Sequence, residues 1–240
     1  FKRAELATGL SYHRRFTSSA WGEFLTSFNS LVNTGSVAAA DIDGDCDADV
    51  ILDIGNEHGP VVLINNNGYF SEAADNYGLN GINDAPALAM ADLNGDGWPD
   101  LFVGNMLTET PSIWFNNGQG RFIRQEDSGF HVLRKTLSSA FYDIDGDGDL
   151  DVFLAHWDIP EAVEETHLWL NDGTGYFTAA PSSWGFSGKI GDRDFTFTPA
   201  FADFNGDHIV DLASTADFLR TRIFQGKADH SFTDVTNDGV

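Results

Sequence analysis

Asp143 to Asp151 reads DIDGDGDLD, and the same nine-residue design, D-x-[DN]-G-D-x-x-x-D, returns at Asp41 to Asp49 (DIDGDCDAD), Asp92 to Asp100 (DLNGDGWPD) and Asp203 to Asp211 (DFNGDHIVD). The copies start 51, 51 and 60 residues apart. A period of that size marks a repeat architecture, in which one supersecondary unit recurs and neighbours bury each other's apolar faces. Small and apolar residues precede each copy (VAAA, LAMA, SAFY, AFA), and an apolar run follows it from Val50, Leu101, Val152 and Leu212. The runs are short and rich in β-branched and aromatic residues, the pattern of buried strands.

A hairpin signal comes next. Leu63 through Asn65, Asn66, Asn67 and Gly68 to Phe70 is matched by Trp114 to Phe122 around Asn116-Asn117-Gly118, and by Trp169 to Phe177 around Asn171-Asp172-Gly173. Asn and Gly supply the positive φ that tight hairpin turns require. The fourth copy, Ile223 to Phe232 around Gln225-Gly226, is looser. From each hairpin Phe the chain runs to a Gly and an apolar residue: Gly78-Leu79, Gly129-Phe130, Gly185-Phe186 and Gly239-Val240, with Phe1 to Gly9-Leu10 as a fifth copy. One unit is therefore strand, aspartate loop, strand, hairpin, strand, without helical periodicity, which is the content of a four-stranded propeller blade. The expected organisation is one all-β region over 1–240: an N-terminal strand and insertion (1–36), then repeats at about 37–79, 80–130, 131–186 and 187–240.

Composition narrows the partners. A hydrophobic content of 42% with 20 Phe and 6 Trp is enough for a sizeable core, so the excess of 37 Asp and Glu over 13 Lys and Arg does not signal disorder. A formal net charge of -24 repels nucleic acid and anionic membranes at long range and favours cations. No apolar run approaches the roughly 20 residues that span a bilayer, so no membrane insertion is expected. Cys46 is the only cysteine, which excludes an intrachain disulfide and a thiolate zinc site.

The loop chemistry points to calcium. Positions 1, 3, 5 and 9 carry an oxygen side chain in every copy and position 4 is always Gly. Calcium takes 6 to 8 hard oxygen ligands, and an alternating loop throws side chains 1, 3 and 5 toward one centre while the carbonyl of residue 7 joins them. The expected ligand sets are Asp41, Asp43, Asp45, Asp49 and the Asp47 carbonyl; Asp92, Asn94, Asp96, Asp100 and the Trp98 carbonyl; Asp143, Asp145, Asp147, Asp151 and the Asp149 carbonyl; Asp203, Asn205, Asp207, Asp211 and the Ile209 carbonyl. About four ions per chain follow. Magnesium, which demands near-ideal octahedral geometry, and zinc, which would want His or thiolate, suit the loops less well. An EF-hand would close on a glutamate at position 12, where this chain has Leu52, Val103, Leu154 and Ser214.

On these motifs the chain resembles the FG-GAP or VCBS repeats of integrin α-subunit heads, fungal propeller lectins and cartilage-acidic-protein-like proteins. The resemblance implies a β-propeller whose aspartate loop joins the first two strands of a blade, with calcium mainly structural. It also implies a ring of about seven blades, so four repeats form an arc of a larger ring, with all four loops on one side. Phe1 and Asp41 lie 40 residues apart, against 22, 21 and 26 between the corresponding residues of the later units, which places an insertion or cap within Tyr12 to Ser36.

A propeller is a scaffold, and function must come from a site. The longest irregular stretch expected is Ala155 to Thr166, which offers His156 and Trp157 as ligand candidates beside Asp158, Glu161, Glu164 and Glu165. Packing of Trp157 on its own blade is the simpler alternative, and Arg14 and Arg15 read as surface charges. No G-x-S-x-G, H-E-x-x-H or G-x-x-x-x-G-K-[ST] motif is present, and the chain reads as a non-enzyme. The expectation is a secreted or cell-surface module that binds a glycan or an extracellular protein. The alternatives are a structural subunit of a surface layer or filament that self-associates and, behind it, a carbohydrate-active enzyme.

Overall fold

The apolar runs flanking each aspartate loop form antiparallel strands in the computed structural model, which describes residues 35–53, 59–73, 77–82, 85–105, 110–131, 134–158, 166–186, 194–216 and 221–236. Four meanders result. The first is β1 (Val37–Ala40), β2 (Asp49–Leu52), β3 (Val61–Asn66) and β4 (Tyr69–Glu72); the second is β5 (Ala87–Ala91), β6 (Asp100–Gly104), β7 (Ser112–Asn116) and β8 (Phe122–Arg124). The third is β9 (Thr136–Tyr142), β10 (Asp151–Asp158), β11 (Leu168–Asn171) and β12 (Phe177–Ala179); the fourth is β13 (Asp194–Ala202), β14 (Asp211–Ala216), β15 (Arg222–Gly226) and β16 (Phe232–Asp234). Each is paired in sequence order, and the C-terminal end of β10 also pairs β13, which joins the last two meanders in one sheet. Every meander is one four-stranded blade, as the repeat implies. The only helical turn among the described residues is the 3-10 turn Ser182–Trp184.

Hairpin register follows the turn chemistry. Asn67 and Gly68 both have positive φ, 53° and 86°, and close β3 on β4 with Asn66 opposite Tyr69. Alternation along the strands then decides which side chains go inside.

By packing the chain divides into two units: the first holds residues 1–90, 97–103 and 113–125, the second 91–96, 104–112 and 126–240. The first unit is built around Ile42, Ile51, Val62, Leu79, Leu101, Val103, Trp114 and Phe122. The second is built around Ile144, Phe153, Leu168, Phe186, Leu212, Phe224 and Phe232. The Gly-apolar pairs of the repeat contribute to the interior: Leu79, Phe130 and Phe186 are all buried.

One expectation fails. The stretch from Ala155 does not begin a loop, because β10 continues to Asp158 through a bulge at Ala155/His156 and then pairs β13, Trp157 opposite Phe195 and Asp158 opposite Asp194. His156 and Trp157 are strand residues, 3% and 9% exposed. A strand that finds a partner on either flank keeps its backbone amides satisfied, and this overrides the polar composition that follows it. Phe1–Leu10, Tyr12–Thr34 with Arg14 and Arg15, Glu161, Glu164, Glu165, Gly239 and Val240 lie outside the described residues, as does the side chain of Asp158.

Candidate metal centres

Each aspartate loop bridges the first two strands of its blade, and the backbone wraps around the position 1 carboxylate. Asp41 Oδ1 accepts from the Gly44 and Asp45 amides at 2.7 and 3.1 Å, and its Oδ2 from Cys46 at 2.9 Å. Asp143 accepts from Gly146 and Gly148 at 2.8 and 3.2 Å. Asp203 accepts from Gly206, Asp207 and His208 at 2.7, 3.2 and 2.9 Å, and these bonds, the one from His208 foremost, hold its carboxyl below the usual carboxylate range. The wrap needs positive φ at positions 4 and 6. Position 4 is Gly throughout; position 6 is Gly97 and Gly148 in two loops but Cys46 and His208, at φ 71° and 68°, in the other two. Those two residues hold a conformation that L side chains rarely adopt. Cys46 is exposed and is not part of any carboxylate cluster among the described residues.

Position 9 has a second role that the spacing did not reveal. Asp49 Oδ2 accepts from the Ile42 amide at 3.0 Å and Oδ1 from the Asn65 amide of the hairpin at 2.8 Å. Asp151 repeats this with Ile144 and Asn171, both at 2.9 Å, and Asp211 with Phe204 and Gly226 at 3.0 and 2.9 Å. The hairpin half recurs at Asp100, whose Oδ1 accepts from Asn116 at 2.9 Å. This aspartate staples its loop to the third strand of the blade and is buried in all four copies.

Carboxylates converge in two of the loops. Asp41, Asp43 and Asp49 bring ligand oxygens within 4.8 Å of one another, and so do Asp143, Asp145 and Asp151. The position 5 carboxylates Asp45 and Asp147 stand outside these triplets and accept from the position 7 amides at 2.9 and 3.0 Å. In the other two loops position 3 is an amide, and its Nδ2 donates to the position 5 carboxylate: Asn94 to Asp96 at 3.1 Å and Asn205 to Asp207 at 2.9 Å. Among positions 1, 3, 5 and 9 these loops carry one carboxylate fewer, and the amide satisfies part of the position 5 carboxylate internally. Position 7 side chains turn away onto the hairpin. Asp47 Oδ2 accepts from Asn67 at 2.6 Å, Trp98 lies against Gly118, Asp149 against Gly173 and Ile209 against Gly226. Only their carbonyls remain for an ion.

The donor set is all oxygen and strongly acidic, which suits a hard divalent cation. The electrostatics agree. Burial pushes the Asp151 carboxyl up to about 6 against its two amide bonds, and Asp145 and Asp147 add repulsion. Burial likewise raises Asp49, with Asp43 and Asp45 contributing, and raises Asp145 beside Asp147 and Asp143. A bound cation removes this penalty, and it must displace a proton when the carboxyl is protonated. Metal affinity at the third loop is therefore expected to be nearly flat above the Asp151 value of about 6 and to fall roughly tenfold per pH unit below it, measured by titration between pH 5 and 7.5.

His156 and Trp157 do not form an exposed ligand site. The His156 ring meets Thr136 Oγ1 at 3.3 Å and stands 5.0 Å from the His167 ring, inside the third blade.

Residues 54–103 and 92–154 match the model of the FG-GAP-like repeat. Among solved structures, an Agrocybe aegerita lectin, described for specific recognition of non-reducing terminal N-acetylglucosamine, is similar at 20% identity and a TM-score of 0.54, over 84% of this chain and 51% of the lectin. The V. cholerae biofilm matrix protein Bap1 is similar at 18% identity and a TM-score of 0.41, over 85% of this chain and 39% of Bap1. This chain thus spans about half the length of the lectin it matches. No curated protein matches it in sequence. Among the described residues no helix is long and apolar enough to cross a membrane.

Proposed function

We propose that this chain, whose residues 54–154 carry FG-GAP-like repeats, is an extracellular, non-catalytic recognition or adhesion module of propeller blades held by calcium. The observation that carries the calcium reading is the pair of converging carboxylate triplets, each containing a buried aspartate whose ionisation the fold opposes. Three like charges at such distances repel unless a cation lies between them. Calcium fits the oxygen donors, and extracellular calcium modules work at Kd of about 10⁻⁴ to 10⁻³ M, where calcium is millimolar. Ligand charge tunes affinity, so the loops of Asp41 and Asp143 are the tighter pair, and those of Asp92 and Asp203, with Asn at position 3, the weaker.

Calorimetric titration of the metal-free chain is expected to resolve two tighter and two weaker calcium sites. Asp145→Ala should remove one of the tighter sites and leave the rest. A titration without heat, or one that Asp145→Ala does not change, would remove the calcium reading. Chelation by EGTA should lower the Tm, because binding to the native state adds RT ln(1 + [Ca]/Kd) to stability.

For the partner, the fold shared with a lectin supports a glycan or an extracellular protein, and screening on a glycan array tests the first. A structural subunit of a surface layer or filament is the second reading, and ordered self-assembly on calcium addition would favour it.

A further inference from the structure

The backbone between the first two ligand positions of an aspartate loop is held from both sides. In the first loop the Ile42 amide donates to Asp49 Oδ2 at 3.0 Å, and the Ile42 carbonyl accepts from Asn116 Nδ2 at 2.9 Å. The two groups belong to the consecutive peptides that connect Asp41 to Asp43. Because each peptide is planar and stiff, holding both sets how these two carboxylates stand toward each other and toward Asp49, the third member of their triplet. The third loop repeats the arrangement: the Ile144 amide donates to Asp151 Oδ2 at 2.9 Å, and Ile144 O lies 3.0 Å from His230 Nδ1. In the second loop Leu93 O accepts from Asn171 Nδ2 at 2.9 Å. Ile42, Leu93 and Ile144 are all buried, so these donors stand where solvent does not.

In each case the donor comes from the hairpin of the next repeat, 74, 78 and 86 residues along the chain. Asn116 and Asn171 share one register. The backbone amide of each donates to the position 9 carboxylate of its own blade, Asp100 or Asp151, while the side chain reaches back to the preceding loop. Gly226 holds that register in the fourth blade, with its amide on Asp211, and an added Cβ there would overlap the Val210 carbonyl. An asparagine is therefore excluded, and the donor comes from His230, at φ 64° in the same hairpin and stacked on Trp184 at 5.2 Å. A carbonyl can only accept, so Nδ1 carries the proton. Two kinds of side chain, from two places in the hairpin, deliver a donor to the same position 2 carbonyl, so the bond and not the residue type is what the loop requires.

We infer that Asn116, Asn171 and His230 are positioning residues for the metal loop of the preceding repeat, so that each of these three loops reaches full affinity only with the next hairpin folded against it. Their side chains act through the position 2 backbone and not as ligands. The inference rests on the calcium reading above and extends it from the residues of a loop to those of its neighbour. Partners that orient ligands in this way are typically worth about 10- to 100-fold in metal affinity. By linkage, a bound ion strengthens the contact with the hairpin by the same factor.

The test places two variants, Asn116→Ala and His230→Ala, in each of two backgrounds. Asp145→Ala leaves the first loop as the tight site, and Asp43→Ala leaves the third. Circular dichroism in EGTA first establishes that each chain is folded. His230 is half-buried on a hairpin, so its variant serves even where buried Asn116 does not tolerate truncation. In calorimetric titration with calcium, Asn116→Ala should weaken the first-loop site about tenfold and leave the third-loop site unchanged; His230→Ala should do the reverse. A general loss of stability would not give this crossed pattern. Asn116→Ala changes no charge, and any positive charge lost with His230 would tighten a cation site, so a weakening has the wrong sign for electrostatics. Variants that leave both tight sites as they are, or that weaken both alike, would overturn the inference while the calcium reading stands. A native chain that gives no heat at all would overturn the calcium reading, and this inference with it.

Discussion

Gly129→Ala is expected to lower the melting temperature by about 10 °C, whether or not calcium is present. Gly129 has φ +81°, and an added Cβ would overlap the backbone carbonyl of Phe177. That backbone cannot withdraw, because the Phe177 amide donates to Ser128 O at 2.9 Å and the strand behind it is paired to β11. A left-handed conformation costs a non-glycine residue about 1 to 2 kcal/mol, and overpacking adds about 1 to 3. At about 2 to 4 °C per kcal/mol for a chain of this size, the sum gives the stated shift. Gly68→Ala separates the two contributions. Its φ is +86° with nothing within 4 Å of the added atom, so only the conformational part, a shift of about 2 to 8 °C, should appear. Equal shifts for the two variants would mean that the close approach to Phe177 is not part of the fold.

Asp151→Ala should be nearly as damaging, and in a way that distinguishes it from its neighbours. The substitution strands the buried amides of Ile144 and Asn171, at a cost of about 1 to 3 kcal/mol each less the relief of burying a reluctant carboxylate. The metal-free chain should therefore lose stability as well as a calcium site. Asp145→Ala should lose the site but leave metal-free stability nearly unchanged or slightly raised, because it removes a like charge from the cluster. Thermal melts of both variants in EGTA and in calcium provide the four numbers. Indistinguishable metal-free melts would show that position 9 is a ligand and not a staple.

The two variants also show where a reading of single positions reaches its limit. Positions 1, 3, 5 and 9 all appear in the sequence as oxygen donors, and the spacing cannot rank them. Position 9 differs because it opens a strand: Asp49, Asp100, Asp151 and Asp211 each begin the second strand of a blade, where one carboxylate oxygen faces the loop and the other the hairpin. Position 9 is Asp in every copy while position 3 tolerates Asn, but positions 1 and 5 are Asp in every copy as well, so the sequence does not single it out. Asn at position 9 could not accept from two amides at once through separate oxygens, because one of its two terminal atoms is a donor.

The sequence by itself determined the repeat, the four blades with their order of strands, and the oxygen-lined loops. These follow from local chemistry repeated in register: alternation places side chains on one face, Asn-Gly sets the hairpins, and glycine allows the turn of the loop. Only the tertiary structure decided which carboxylates meet, that β10 runs on through His156 and Trp157 to pair β13, and that Gly226 is compensated by His230. The last two depend on a partner far along the chain, Phe195 for Trp157 and Ile144 for His230, which no short window of sequence holds together, and the first on the backbone path of the loop.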